Sequence, residues 1–414
     1  MTEAAVTLQA ANASDSRTEI PYESYGRLFW RFLRFGLLAW GGPVAQIAMI
    51  RRELIEEERW ITPTHFNRVV ALYQVLPGPE AHELCVYFGM LARGRLGGLL
   101  AGLGFMLPGF VLMFLLSWLY VSQGGRSALL AAVFYGTQPA IAAVVIRAVH
   151  RIGRPVLRDR WLWTGAATAA AAQVGGVPFL VSLPVVGFAY VIARRGWRAG
   201  AIVTFTALVV LATTRILQFG AAELTTVAAA AGGVPHGAPS LLDLLGSGLR
   251  TGLLTFGGAY TAIPFLQHDA VVRGSWMTND QFLDGLALSG ILPAPLIIFG
   301  TFAGYLGAGA LGAIVLTLGI FLPAFSFTLV AHGWLERIVV RTGLNTFLTG
   351  VTAGVVGLIA VTAVVLARVA ITDIPTVAIG IASLAVLYLW HSKITVLGVV
   401  LGGGMLGWLL LSTK

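Results

Sequence analysis

Five stretches of this 414-residue chain, at 96–121, 127–149, 199–220, 311–331 and 345–366, run for about twenty residues or more with almost no charge. That is the length an α-helix needs to cross the ~30 Å hydrocarbon core of a bilayer. A helix suits such a segment because it pairs its own N–H and C=O groups, each of which costs several kcal/mol when left unpaired in hydrocarbon. Of the whole chain 57% is hydrophobic and only 11% charged, against roughly 25% charged in a soluble domain. The expected fold is an all-α polytopic membrane protein whose solvent is largely lipid.

The +9 formal charge could suggest nucleic acid. The arginines, however, gather at the ends of apolar segments, as at Arg147, Arg151, Arg154, Arg158 and Arg160. That is the positive-inside bias of a membrane protein, so no nucleic-acid partner is expected. The lone Cys85 excludes an internal disulfide and a cysteine-rich metal site. His82-Glu83 lacks the second histidine of a zinc-protease motif, because Val86 stands there. No Ser–His–Asp order or glycine-rich phosphate loop stands out, and neither enzyme activity, cofactor nor metal is expected. Residues 1–24 include Asp15, Arg17, Glu19 and Glu23 without an apolar run. They read as a disordered cytoplasmic tail rather than a signal peptide.

Self-comparison reveals a duplication. Gly36-Leu37-Leu38 and Gly41-Gly42 match Gly252-Leu253-Leu254 and Gly257-Gly258 at a shift of 216 (42 to 258). The same shift carries Trp60, Thr62 and Phe66 to Trp276, Thr278 and Phe282, and Pro77-Gly78-Pro79 to Pro293-Ala294-Pro295. Leu107-Pro108 meets Leu322-Pro323 at a shift of 215 (108 to 323), and Gly136 and Asp159 meet Gly350 and Asp373 at 214 (159 to 373). Each half reads as six segments, with an extra span at 199–220 between the halves. An odd linker inverts the second half, and Arg93 and Arg95 accordingly become Ala308 and Ala310. The expectation is an inverted repeat of about 13 membrane segments, 6+1+6. The first repeat occupies 25–198, a linker helix and loop 199–239, and the second repeat 240–414.

In each half the first helix is interrupted by Gly-Gly and the second by Pro-x-Pro. Helix breaks at membrane depth are tolerated only inside protein or beside a wet cavity. Glycine permits open backbone conformations, and proline removes a donor and disfavours helix before it. The helix after each break starts with free N–H groups and a positive dipole end, a ready site for an anion. Whether the interrupted elements cross or re-enter is left open, since both choices give the same parity.

Trp40-Gly41-Gly42-Pro43, the charged linker from Arg51-Arg52-Glu53 to Arg59-Trp60, and Gln74 through Pro79 resemble the signature of the chromate transporter family. The resemblance runs from about residue 25 to 410. It implies export of chromate across the bacterial inner membrane, with sulfate as a structural mimic, driven by the membrane potential or a proton gradient. The second half departs from the pattern at Ala259 and Ala294, so the first half is expected to bind more directly.

The candidate binding residues are Gly41, Gly42, Pro43, Gln74, Pro77, Gly78, Pro79, Gly257, Gly258, Pro293 and Pro295. Arg34 and Arg250 join them because they align across the repeat and can pair with an oxyanion. Gln46, Thr255 and Ser289 are candidate neutral donors. Glu80 and Glu83, in the first turn after Pro79, read either as dipole-stabilised caps or as proton-coupling carboxylates, since charge at membrane depth is costly. His82 reads as a packed residue and Glu53–Arg59 as a solvated interfacial helix. A homodimer is the default assembly.

Overall fold

A computed structural model describes residues 20–40, 42–123, 128–219, 238–256, 258–339, 342–390, 392 and 394–412. Most of the expected tail, together with Gly41 and Gly257, lies outside these described residues. The first repeat opens with α1 (Tyr25–Leu37), α2 (Pro43–Ile50, continuing as a π-helix over Arg51–Glu57), α3 (Pro63–Val75) and α4 (Glu80–Ser122). A straight helix as long as α4 would measure about 65 Å, twice the bilayer core. It does not run straight: Arg93 (φ −145°, ψ 28°) and Gly94 (φ 64°, ψ −161°) interrupt it. A Cβ on Gly89 would strike Ala101 and the Gly97 carbonyl, so the 80–92 arm folds back on the 95–122 arm.

The breaks answer the question that parity left open. Arg31 and Arg34 on α1 pair with Glu53 beyond α2, so α2 returns to the face from which α1 came. Phe66 stacks on Phe88 and His65 on Tyr87, so the 80–92 arm returns alongside α3. Both interrupted elements are therefore re-entrant hairpins: the tip of the second, at 76–79, is inside the protein, whereas Leu37 and Leu38 beside the tip of the first are half exposed.

The chain continues through α5 (Ala128–Val156), the short pair α6 (Arg160–Val174) and α7 (Phe179–Arg194), and the linker helix α8 (Arg198–Phe219), which packs on that pair. The second repeat follows as α9 (Leu241–Leu254), α10 (Ala262–Gln267, between a 3-10 turn and a π-helix), α11 (Asn279–Gly290) and α12 (Phe299–Val339). It closes with α13 (Thr342–Ala370), α14 (Ile374–Leu389) and α15 (Thr395–Ser412). Its backbone repeats the first half in detail: Ala308 (φ −149°, ψ 35°) and Gly309 (φ 60°, ψ −147°) turn α12 where Arg93 and Gly94 turn α4.

The inversion is visible in the packing. Gly98 meets Leu329 and Gly102 meets Phe325, so the equivalent long arms of α4 and α12 run antiparallel. Gly109 touches Ala294 and Gly78 touches Ala324; under the repeat shifts each of these contacts is the two-fold mate of the other. The halves also exchange their short pairs, with α5 packed against α14 and α15 and α13 against α6 and α7.

Among the described residues six helices are long and apolar enough to cross a membrane, and large apolar side chains such as Leu115, Trp118 and Leu119 point outward, where lipid supplies their solvent. The arginine bias predicts the Arg93 turn in the cytoplasm and the Gly309 turn across the membrane. A reporter fused after residue 94 is expected to read cytoplasm and one after residue 309 periplasm; same-side readings would contradict the inverted placement in the membrane.

Candidate functional site

Helices that start at the outer ends of the hairpins carry side-chain caps. Ser24, Thr62, Ser240 and Thr278 each accept a hydrogen bond from a first-turn N–H. The helical segments that start at the four tips carry none: Gly42, Pro79, Gly258 and Pro295 stand at the N-cap without a side-chain hydrogen bond. Two of these tips are joined across the repeats, with the Gly78 N–H donating to the Thr255 carbonyl at 2.8 Å.

The tips border a cavity with two lobes, about 680 Å3 and 410 Å3, that share Pro43, Val44, Arg151 and Tyr260. The larger lobe is walled by Gln74, Glu80, Gly258, Thr349 and Thr352 and reaches the exposed Arg158, Arg194 and Asn345. The smaller adds Trp40, Gly42, Arg147, Ser289 and Ala294. The cavity thus opens toward the face that carries Arg158 and Arg194, here called the basic face.

Toward the opposite face the repeats are closed. Tyr120 donates to Asp284 Oδ2 at 2.9 Å and Gln138 Nε2 to Oδ1 at 3.0 Å, while the Tyr120 ring packs edge-on to Phe134 and Phe302.

Among the sequence candidates, Gly42, Pro43, Gln74, Glu80, Gly258 and Ser289 line the cavity. Pro77, Gly78, Pro79, Pro293 and Pro295 shape the tips beneath it, and Leu292, Ala294 and Leu296 between or beside the second pair of prolines face it instead. Gln46 spends its Nε2 on the Ala39 carbonyl at 2.9 Å and Thr255 its hydroxyl on the Thr251 carbonyl at 2.6 Å. Both brace the backbone of a hairpin.

Arg34 and Arg250 do not reach the cavity. Each closes the first hairpin of its repeat in an ion pair, Arg34 with Glu53 and Arg250 with Asp269 at 2.8 Å. The acidic partners are themselves related by 216 (53 to 269), so a structural pair explains the alignment that pointed to substrate. Glu53–Arg59 is correspondingly more than a solvated helix: Leu54 and Ile55 are buried, and Glu53 and Glu58 hold Arg31.

His82 is fully buried between the Phe321 and Phe325 rings, at 4.9 and 4.6 Å, a packed residue as expected. Glu83, also 0% exposed, lies against Gly78, and neither of its carboxyl oxygens has a hydrogen-bond partner.

Arg147 and Arg151 were legible only as topology markers, yet they stand one helical turn apart on α5 and both face the cavity. Among the described residues neither has an ion-pair partner. Two arginines, the uncapped start at Gly42 and the amide of Gln74 thus border one cavity, beside the carboxyl groups of Glu80 and Asp159, while the hydroxyls of Ser289, Thr349 and Thr352 donate to backbone carbonyls. Such a set suits an anion.

Comparison with known proteins gives the same direction. A family model described as chromate transporter matches residues 26–234 and 242–408. The chain belongs to the chromate transporter family. A chromate transport protein of Pseudomonas aeruginosa is 53% identical over 405 residues, covering 96% of both chains. One from Cupriavidus metallidurans is 30% identical over 402 residues, covering 95% of both. An uncharacterized transporter of Bacillus subtilis is 29% identical over 143 residues, which are 72% of its length and 34% of this chain. No solved structure matches. The chain is accordingly a multi-pass bacterial membrane protein of this family, with relatives named as transporters.

Proposed function

We propose that this protein is a secondary active exporter of chromate that holds the oxyanion in the tip cavity. The observation that carries the reading is Arg151: an arginine without an ion-pair partner among the described residues, on the wall shared by both lobes, beside the uncapped starts at Gly42 and Gly258. The names of the relatives supply the substrate, a tetrahedral dianion. The cavity opens toward the basic face, which the positive-inside bias assigns to the cytoplasm, so oxyanion can load from inside, and the driving potential supports the outward direction. An inside-negative potential favours exit of a dianion by roughly 4.6 kcal/mol per 100 mV, since each charge contributes about 2.3. Glu83, buried at the tip without a partner, is the candidate for proton coupling, because its protonation removes a negative charge from the approach of the anion. Sulfate shares the charge and shape of chromate and is the natural competitor.

The test is uptake of labelled chromate into everted membrane vesicles across pH 6–8, with and without sulfate and with an imposed potential. Accumulation driven by a potential positive inside the vesicle is expected. The Glu83→Gln variant should transport with a flattened pH profile. Accumulation only in right-side-out vesicles would overturn export, and a Glu83→Gln profile parallel to the unmodified protein would leave Glu83 a packing residue.

A further inference from the structure

The charged residues of the cavity come almost entirely from one repeat. Under the repeat shift of 214, Arg147, Arg151 and Arg158 correspond to Val361, Val365 and Thr372 (147 to 361, 151 to 365). Under the shift of 216, Gln74 and Glu80 correspond to Gly290 and Leu296 (80 to 296). The backbone of the two halves nevertheless obeys the two-fold, down to the paired turns at Gly94 and Gly309 and the mated contacts Gly109–Ala294 and Gly78–Ala324. Alternating access in inverted repeats moves one repeat against the other, and a two-fold backbone like this one gives the second conformation its simplest form when the halves exchange arrangements. The cavity that then opens on the opposite face is walled by the counterparts of the present lining, with valines where Arg147 and Arg151 now stand. Gln138, the counterpart of Thr352, brings an amide to that wall but no charge.

We infer that the two faces of the transporter offer unequal oxyanion sites: a strong one toward the basic face, built by Arg147 and Arg151, and a weak one toward the opposite face, where Val361 and Val365 take their place. The inference rests on the transport reading above and concerns how the same site works. Affinity that differs between conformations cannot set the direction of net flux, which the driving gradient fixes. It sets the concentrations at which each face works, because a ligand favours the conformation it binds better by its differential affinity. The basic face then captures oxyanion at low concentration, and the opposite face releases it into a medium where it is abundant without being refilled.

Sided kinetics test this. Initial uptake of labelled chromate into vesicles without internal substrate gives the KM of the outward-exposed face, the basic face in everted vesicles and the opposite face in right-side-out ones. The KM at the basic face is expected to be at least tenfold lower. Arg151→Val should raise the basic-face KM toward the opposite-face value and leave the latter in place. Val365→Arg should lower the opposite-face KM alone. Equal KM values at the two faces, or an Arg151→Val variant that shifts both together, would overturn the inference. Uptake at neither face would remove the chromate reading itself, and the inference with it.

Discussion

Replacing Gly42 or Gly258 with leucine is expected to reduce chromate transport to background while the protein still inserts. Gly42 sits at φ 78°, ψ −175° and Gly258 at φ 120°, ψ 159°, a region of backbone space that is essentially restricted to glycine. A side chain there costs of order 1–3 kcal/mol in strain. Nothing lies within 4 Å of a Cβ at either position, so the new side chain projects into the cavity and occupies the space the anion needs. Alanine separates the two effects, since it carries the strain with little of the bulk. Membrane abundance measured beside efflux distinguishes a blocked site from a failed fold. Undiminished efflux in both leucine variants would show that the tips lie away from the transport path.

The second large effect is expected at Arg151. Hydrogen bonds to charged groups contribute about 1.5–3 kcal/mol each, so Arg151→Ala should raise the KM for chromate at the basic face by roughly tenfold to hundredfold. The Arg147→Ala/Arg151→Ala pair should exceed either single change. Lysine restores the charge but not the two-pronged geometry of the guanidinium, so Arg151→Lys should recover only part of the loss. Competition by unlabelled sulfate provides the independent readout: the alanine variants should need correspondingly more sulfate for half inhibition. An unchanged KM with a reduced maximal rate would assign Arg151 to the conformational step instead.

The architecture was legible because its markers are chemically distinctive. Trp60 and Trp276, the paired Pro-x-Pro elements and the matched Leu-Pro pairs resist chance matching, and the antiparallel arms of α4 and α12 are what an odd linker helix demands. The re-entrant course of the breaks was not legible, since crossing twice or folding back twice leaves every later loop on the same side. The short-range contacts of Arg31, Phe66 and His65 decide it. Arg147 and Arg151 escaped notice because arginines near the end of an apolar run read first as topology. Their spacing of four, which puts both on one helical face, was the available clue. Arg34 and Arg250 misled for the opposite reason. Their alignment pointed to a shared role, and the aligned partners Glu53 and Asp269 pair each of them within the first hairpin of its repeat.

The exchange of short pairs between the halves has a consequence for biosynthesis. The glycines of α15 lie directly against Gly136 of α5, so one side of an early helix is covered by residues that emerge from the ribosome 267 positions later (136 to 403). Until then α5 must be sheltered by lipid or by the insertion machinery. Loss of the last helix is therefore an injury to the half that carries the arginines, although every residue removed belongs to the other.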